Sequence, residues 1–119
     1  MDLNNIDIAI DDMMSIKGAI ASAVIDWESG MTLGMKSLSN FDIELASAGN
    51  SEVVKAKMAT MKSLGLNGKI KDMMITLTDQ IHILSIVENH SELCLYIALD
   101  SANANLALAR NQMQKIAKA

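Results

Sequence analysis

Apolar positions along the chain switch between two periods. Leu3, Ile6, Ile10 and Met13/Met14 recur at helical spacing, with Asn4 and Asn5 placed ahead of them to cap. From Gly18 to Asp26 the residues turn to Ala, Val and Ile. From Met31 to Leu38, Met31, Leu33 and Met35 alternate with Thr32, Gly34 and Lys36, the period of a strand. Between the two runs, Asp26-Trp27-Glu28-Ser29-Gly30 predicts a hairpin loop in which Gly30 can take a positive φ. Helical spacing returns over Phe41–Leu64, with Asn40 or Asp42 as cap, Gly65 as stop and Asn67-Gly68 as a turn. Three strand-like runs follow, Ile70–Thr78, Ile81–Glu88 and Leu93–Leu99, broken at Asp79-Gln80 and at Asn89-His90-Ser91-Glu92. Ser101–Ala117 closes the chain as a helix with Ala102, Leu106, Ala109, Met113 and Ile116 on one face. The predicted order is αββαβββα, an antiparallel α+β domain. No Pro, low-complexity run or charge block marks a linker, so residues 1–119 read as one domain.

The two faces of each strand predict its place in the sheet. The first strand is apolar on both sides, with Ala19, Ala21, Ala23 and Ile25 on one and Ile20 and Val24 on the other. So is the fifth, where Leu93, Leu95, Ile97 and Leu99 oppose Cys94, Tyr96 and Ala98. Strands apolar on both faces lie centrally under cover on both sides, and hairpin-linked strands are neighbours. The expected order is therefore 2-1-5-4-3, with the middle helix on one face and the terminal helices on the other.

The middle helix carries two stripes. Ile43, Ala46, Val53, Val54, Met58, Met61 and Leu64 form an apolar face wide enough to cover a sheet. A second stripe, Leu45, Gly49, Glu52, Ala56, Ala59 and Ser63, alternates by four and three, the spacing of a helix–helix seam. Gly inside a helix costs about 1 kcal/mol relative to Ala, so close approach of a second backbone gives Gly49 a reason to be there. The alternative is that these are helix-compatible surface residues. As a seam, the stripe predicts a homodimer about a two-fold axis. The third strand, a free edge, offers a further pairing surface, which Lys69 and Lys71 oppose. Glu44, Ser51, Lys55 and Lys62 make the remaining polar strip, the expected contact surface for a further partner.

Composition removes several functional classes. Net charge −4 argues against nucleic-acid binding, which needs clustered Lys and Arg. Trp27, Phe41 and Tyr96 are too few for a base-stacking platform. The acidic first turns lack a basic start and apolar run, and the longest uncharged stretches, Gly18–Ile25 and Ser101–Ala109, cannot span a bilayer. With one Cys and no internal disulfide, the expectation is a cytoplasmic protein without membrane insertion.

Catalytic and cofactor chemistry is likewise not predicted. Gly65-Leu66-Asn67-Gly68-Lys69 is too short for a phosphate loop, lacks Ser/Thr and leads into a strand. His82, His90 and Cys94 do not have zinc-site spacing. A Cys94–His82 nucleophile pair would need an accessible thiol, whereas Cys94 lies inside an apolar strand. Asp26 and Asp100 end strands, where a carboxylate starts a turn or caps a helix. Asp2, Asp7, Asp11 and Asp12 read as a solvated helix face. Arg110 reads as a solvated residue toward the C-terminal half of the last helix. Ten Met residues would suit an adaptable pocket of a profilin-like or PAS-like sensor, but they serve a core equally well.

The order of elements, the run Gly18-Ala19-Ile20-Ala21-Ser22-Ala23-Val24-Ile25-Asp26 with Gly30, and Leu95-Tyr96-Ile97-Ala98-Leu99-Asp100 followed by Ala102–Arg110 resemble the roadblock/dynein light chain family over nearly the whole chain. These motifs are structural rather than catalytic. The resemblance implies a dimer built from the middle helix and third strand, with a sheet continuous across two subunits. It also implies a non-enzymatic protein that binds and regulates a small Ras-like GTPase, the bacterial single-domain members being the nearer type. Because Arg110 is the chain's single arginine, no arginine finger is expected. The alternative function is a scaffold subunit of a larger signalling or motor assembly.

Overall fold

The computed structural model describes residues 5–118. In chain order the elements are α1 (Ile6–Met14), β1 (Ala19–Asp26), β2 (Met31–Ser37), α2 (Ile43–Ser63), β3 (Asp72–Thr76), β4 (Gln80–Ile86), β5 (Leu93–Asp100) and α3 (Leu106–Lys118). The five strands form one antiparallel sheet in the order β2-β1-β5-β4-β3, as the strand faces predict.

The layers follow from the alternation. On one face, Ala21, Ala23 and Ile25 of β1, Leu84 of β4 and Cys94, Tyr96 and Ala98 of β5 pack with Ile43 and Val54 of α2. Small residues on β1 let the helix backbone sit close to the sheet. On the other face, Val24, Ile83, Leu95, Ile97 and Leu99 pack with Ile6, Ile10 and Met13 of α1 and Ala109, Met113 and Ala117 of α3. The β5 faces divide as read from the sequence, but β1 departs at its start. A β-bulge between Ala19 and Ala21 turns Ala19 to the α1/α3 side and Ile20 to the α2 side.

Local signals explain most boundaries. The Asp26 carboxylate accepts from the Glu28 and Ser29 backbone N–H groups and starts the hairpin loop, in which Gly30 takes φ +82°. Trp27 Nε1 donates to the Ser91 carbonyl at 2.7 Å, tying this loop to the one before β5. Asp42 caps α2 by accepting from Leu45 N–H. The helix stops at Gly65, whose N–H and that of Leu66 close onto the Lys62 and Met61 carbonyls. For α1, Asn5 occupies the cap position without a side-chain cap bond, while Leu3 and Asn4 lie outside the described residues.

Two boundaries move. The last helix begins at Leu106 rather than Ser101, because the Asp100 carboxylate is spent on a turn, accepting from Ala102 N–H and Asn103 Nδ2. Asn105 is the actual cap, accepting from Leu108 N–H, so Ala102 precedes the helix and Leu106 is exposed. β3 keeps only five residues, since the chain enters the turn closed by Leu77 N–H to the Gln80 carbonyl.

Gly18 joins α1 to β1 at φ +90°, and a Cβ there would come within 3.1 Å of Ala104 backbone N. Gly18→Ala therefore meets both a left-handed conformation and a fixed backbone. It is expected to lower unfolding free energy by about 2 kcal/mol in a denaturant titration.

Candidate functional site

The surface of interest is built on α2. At 100° per residue, Ile43, Ser47, Asn50, Val54, Met58 and Met61 fall on one side and face the sheet, and all are buried or partly buried. Val53 and Leu64, assigned to this face from spacing, lie on its flank and are exposed. The inner face is more polar than the pattern predicts: Ser47 and Asn50 take places given to no role in the sequence. Asn50 lies beside the Tyr96 hydroxyl, while the buried Ser47 hydroxyl has no hydrogen-bond partner among the described residues.

Leu45, Gly49, Glu52, Ala56, Ala59 and Ser63 lie directly opposite, pointing away from the sheet, and every one is exposed. Leu45 is 70% exposed and nothing lies within 4 Å of a Cβ built on Gly49. Two such stripes meeting would stack helix on helix, away from the β3 edge, so a helix seam here and a sheet continuous across two subunits would be two contacts rather than the single one the resemblance implies. Near that edge, Leu64, Leu66, Ile75 and Leu77 are exposed.

The polar strip is only partly realised. Glu44, Lys55 and Lys62 share one flank of α2, with Lys55 Nζ 3.3 Å from Glu52 Oε1 of the stripe. Ser51 does not belong with them. It sits closer to the sheet-facing direction, is 1% exposed, and donates its hydroxyl to the Ser47 carbonyl at 3.1 Å.

Under the start of α2 lies a half-buried polar cluster. His82 Nε2 is 2.9 Å from Gln80 Oε1 and Nδ1 is 3.3 Å from the Tyr96 hydroxyl. The imidazole ring stands edge-on between Phe41 and Tyr96. Burial lowers the His82 pKa against the opposing pull of Asp79, and burial pushes Tyr96 up to about 12. A neutral imidazole satisfies the geometry by donating from Nε2 and accepting at Nδ1. Since the unfolded chain protonates this residue first, its contribution is present above the ordinary histidine pKa and lost as pH falls below it. His82→Phe is expected to flatten the decline in denaturation midpoint from pH 7.5 to pH 5.

The remaining reactive groups have structural settings. Cys94 is buried, with its thiol pushed up to about 12 by burial and by Asp26, the opposite of an activated nucleophile. His90 lies in a loop, 3.7 Å from Glu92. Among the described residues no group of three or more His, Cys, Asp or Glu is placed to hold a metal ion. An open groove of about 640 Å³ at the sheet end is lined by Ile20, Leu38, Phe41, Gln80 and Asp100 among others, and by no methionine. Met13 and Met113 are instead core residues.

Arg110 departs from its predicted setting. With α3 starting at Leu106 it lies in the N-terminal half of the helix, and it is paired rather than solvated: Nε and Nη2 reach Asp72 Oδ2 and Oδ1 at 2.8 and 3.3 Å. The Asp72 carboxylate raises the Arg110 pKa further. Nothing in the spacing of two residues 38 positions apart announces this pair.

Five antiparallel strands in this order, one helix on one face and two on the other, define the roadblock fold. In comparison with solved structures, the chain is similar to MglB of Myxococcus xanthus, with TM-score 0.82 and 17% identity over 98% of this chain and 84% of that one. It is also similar to a Roadblock/LC7 domain from Streptomyces avermitilis, with TM-score 0.78 and 12% identity over 93% and 90%. A third similar structure is an MglB described with a tetrameric arrangement, with TM-score 0.80 and 15% identity over 98% and 85%. No family model and no curated protein matches the sequence. At these identities the likeness establishes the fold.

Proposed function

We propose that the protein is a non-enzymatic, homodimeric regulator or adaptor that holds the switch regions of a small Ras-like GTPase. The observation that carries this reading is the exposed stripe of α2. Six residues at seam spacing, small at Gly49, Ala56 and Ala59, face outward on a fold shared with MglB and a Roadblock/LC7 domain. That a solved MglB is described with a tetrameric arrangement supports self-association, for which the α2 stripe and the β3 edge supply two distinct surfaces. The GTPase partner follows from the family resemblance.

Glu44, Lys55 and Lys62, on the flank beside the stripe, are the proposed partner contacts. Regulation then works by holding the GTPase's own groups in place, because the single guanidinium of this chain is engaged by Asp72. The compartment consistent with such a partner is the cytoplasm, and among the described residues no helix is long and apolar enough to cross a membrane.

Affinity capture from the source lysate, run in parallel with a GTP analogue and with GDP, tests the reading. Enrichment of a small GTPase in one nucleotide state is expected. Recovery of nucleotide-independent partners alone would replace the regulator with a scaffold subunit.

A further inference from the structure

β3 is held differently from the other strands. It has five residues, pairs only with β4, and follows a segment, residues 64–69, that is exposed throughout. Its side chains give it limited purchase, since Met73 and Met74 are only partly buried and Ile75 is exposed. A short edge strand anchored this weakly is expected to fray.

One contact stands against fraying. Asp72, the first residue of β3, points to the α1/α3 side and receives three donors from α3: Arg110 Nε at 2.8 Å, Arg110 Nη2 at 3.3 Å and Gln114 Nε2 at 3.3 Å. The aspartate side chain is 9% exposed and the arginine 50%, so the carboxylate is the sequestered partner and the guanidinium covers it. The fork of a guanidinium matches two carboxylate oxygens, which a lysine ammonium does not. Removing the guanidinium uncovers the carboxylate and leaves it one amide donor from α3, so the two-point tie is lost and Asp72 can turn out to water, carrying the start of β3 with it.

We infer that Arg110 is a positioning residue: by clamping Asp72 to α3 it holds β3 extended, in the conformation required to pair with the β3 edge of a second copy of this chain. The inference rests on the reading of β3 as a pairing surface. A strand already ordered loses less conformational entropy on pairing than a frayed one. Arg110 thus acts on association from a helix on the opposite side of the sheet from α2.

Amide hydrogen exchange over Asp72–Thr76, measured on dilute and concentrated protein, tests the clamp and the pairing separately. In dilute protein, Arg110→Ala is expected to speed exchange in β3 at least tenfold while the amides of β1 and β5 keep their protection. In the same variant the concentration at which β3 gains protection by association should rise at least tenfold, with Arg110→Lys intermediate. The charge swap Arg110→Asp with Asp72→Arg should restore both, and it stands in if Arg110→Ala does not fold. Unchanged β3 exchange in dilute Arg110→Ala would overturn the clamp. If wild-type β3 gains no protection on association, β3 is not a pairing edge and the reading beneath the inference fails instead. Faster β3 exchange in dilute protein with the concentration dependence of β3 protection unaltered would also overturn the inference, by separating the clamp from pairing.

Discussion

Replacing Gly49 with Leu is expected to leave each chain folded and to separate the dimer we propose through α2. The position is exposed, with nothing within 4 Å of a Cβ built there, so a side chain can start there without a clash inside its own subunit. Leu is also the better helix former by close to 1 kcal/mol, and α2 itself should not weaken. At a close-packed seam the same side chain overpacks, at about 1–3 kcal/mol per site. A two-fold axis repeats the clash, which corresponds to at least about a 30-fold rise in dissociation constant. Sedimentation equilibrium against an unchanged far-UV spectrum reads both halves. Association as tight in Gly49→Leu, and equally in Ala56→Glu, as in the wild type would remove the stripe as an interface, whereas a weaker residual dimer is the one expected from the β3 edge.

That the subunit has open space at Gly49 bears on what the sequence can reveal. The stripe is legible because an outward helix face in one chain depends only on the helical period, which Leu45 through Ser63 keep. The sheet order is legible for a similar reason: β1 and β5 are apolar on both faces, and only a central position covers both. Where backbone detail intervenes, periodicity fails. The bulge at Ala19–Ala21 exchanges the faces of two residues, and Asp100 prefers a turn with Asn103 to the helix cap that Asn105 supplies. Ser51 is readable as polar but not as buried, since its hydroxyl is satisfied inside the helix by the Ser47 carbonyl and needs no solvent. The Asp72–Arg110 pair is a tertiary fact with no local signature.

The second large effect concerns the partner. Lys55→Glu combined with Lys62→Glu reverses the two cations on one flank of α2 in a chain whose net charge is already −4. Charges flanking an interface act mainly on encounter rate and salt dependence. The double variant should bind the GTPase at least about tenfold more weakly at low salt, a loss that shrinks as ionic strength shortens the screening length. Lys62→Glu alone serves as the control. Lys55 also pairs with Glu52 of the stripe, so a change at position 55 must be shown to leave the dimer intact. Unaltered affinity in the double variant would place the contact elsewhere on the molecule.

The second effect presupposes a partner that changes shape with its nucleotide, and equilibrium binding measures that presupposition most directly. The wild-type protein is titrated into the captured GTPase loaded with a GTP analogue and, separately, with GDP. A regulator that holds switch regions must distinguish the two states, with dissociation constants at least about tenfold apart. Equal affinity for both states would contradict it, leaving a roadblock-fold scaffold indifferent to the nucleotide.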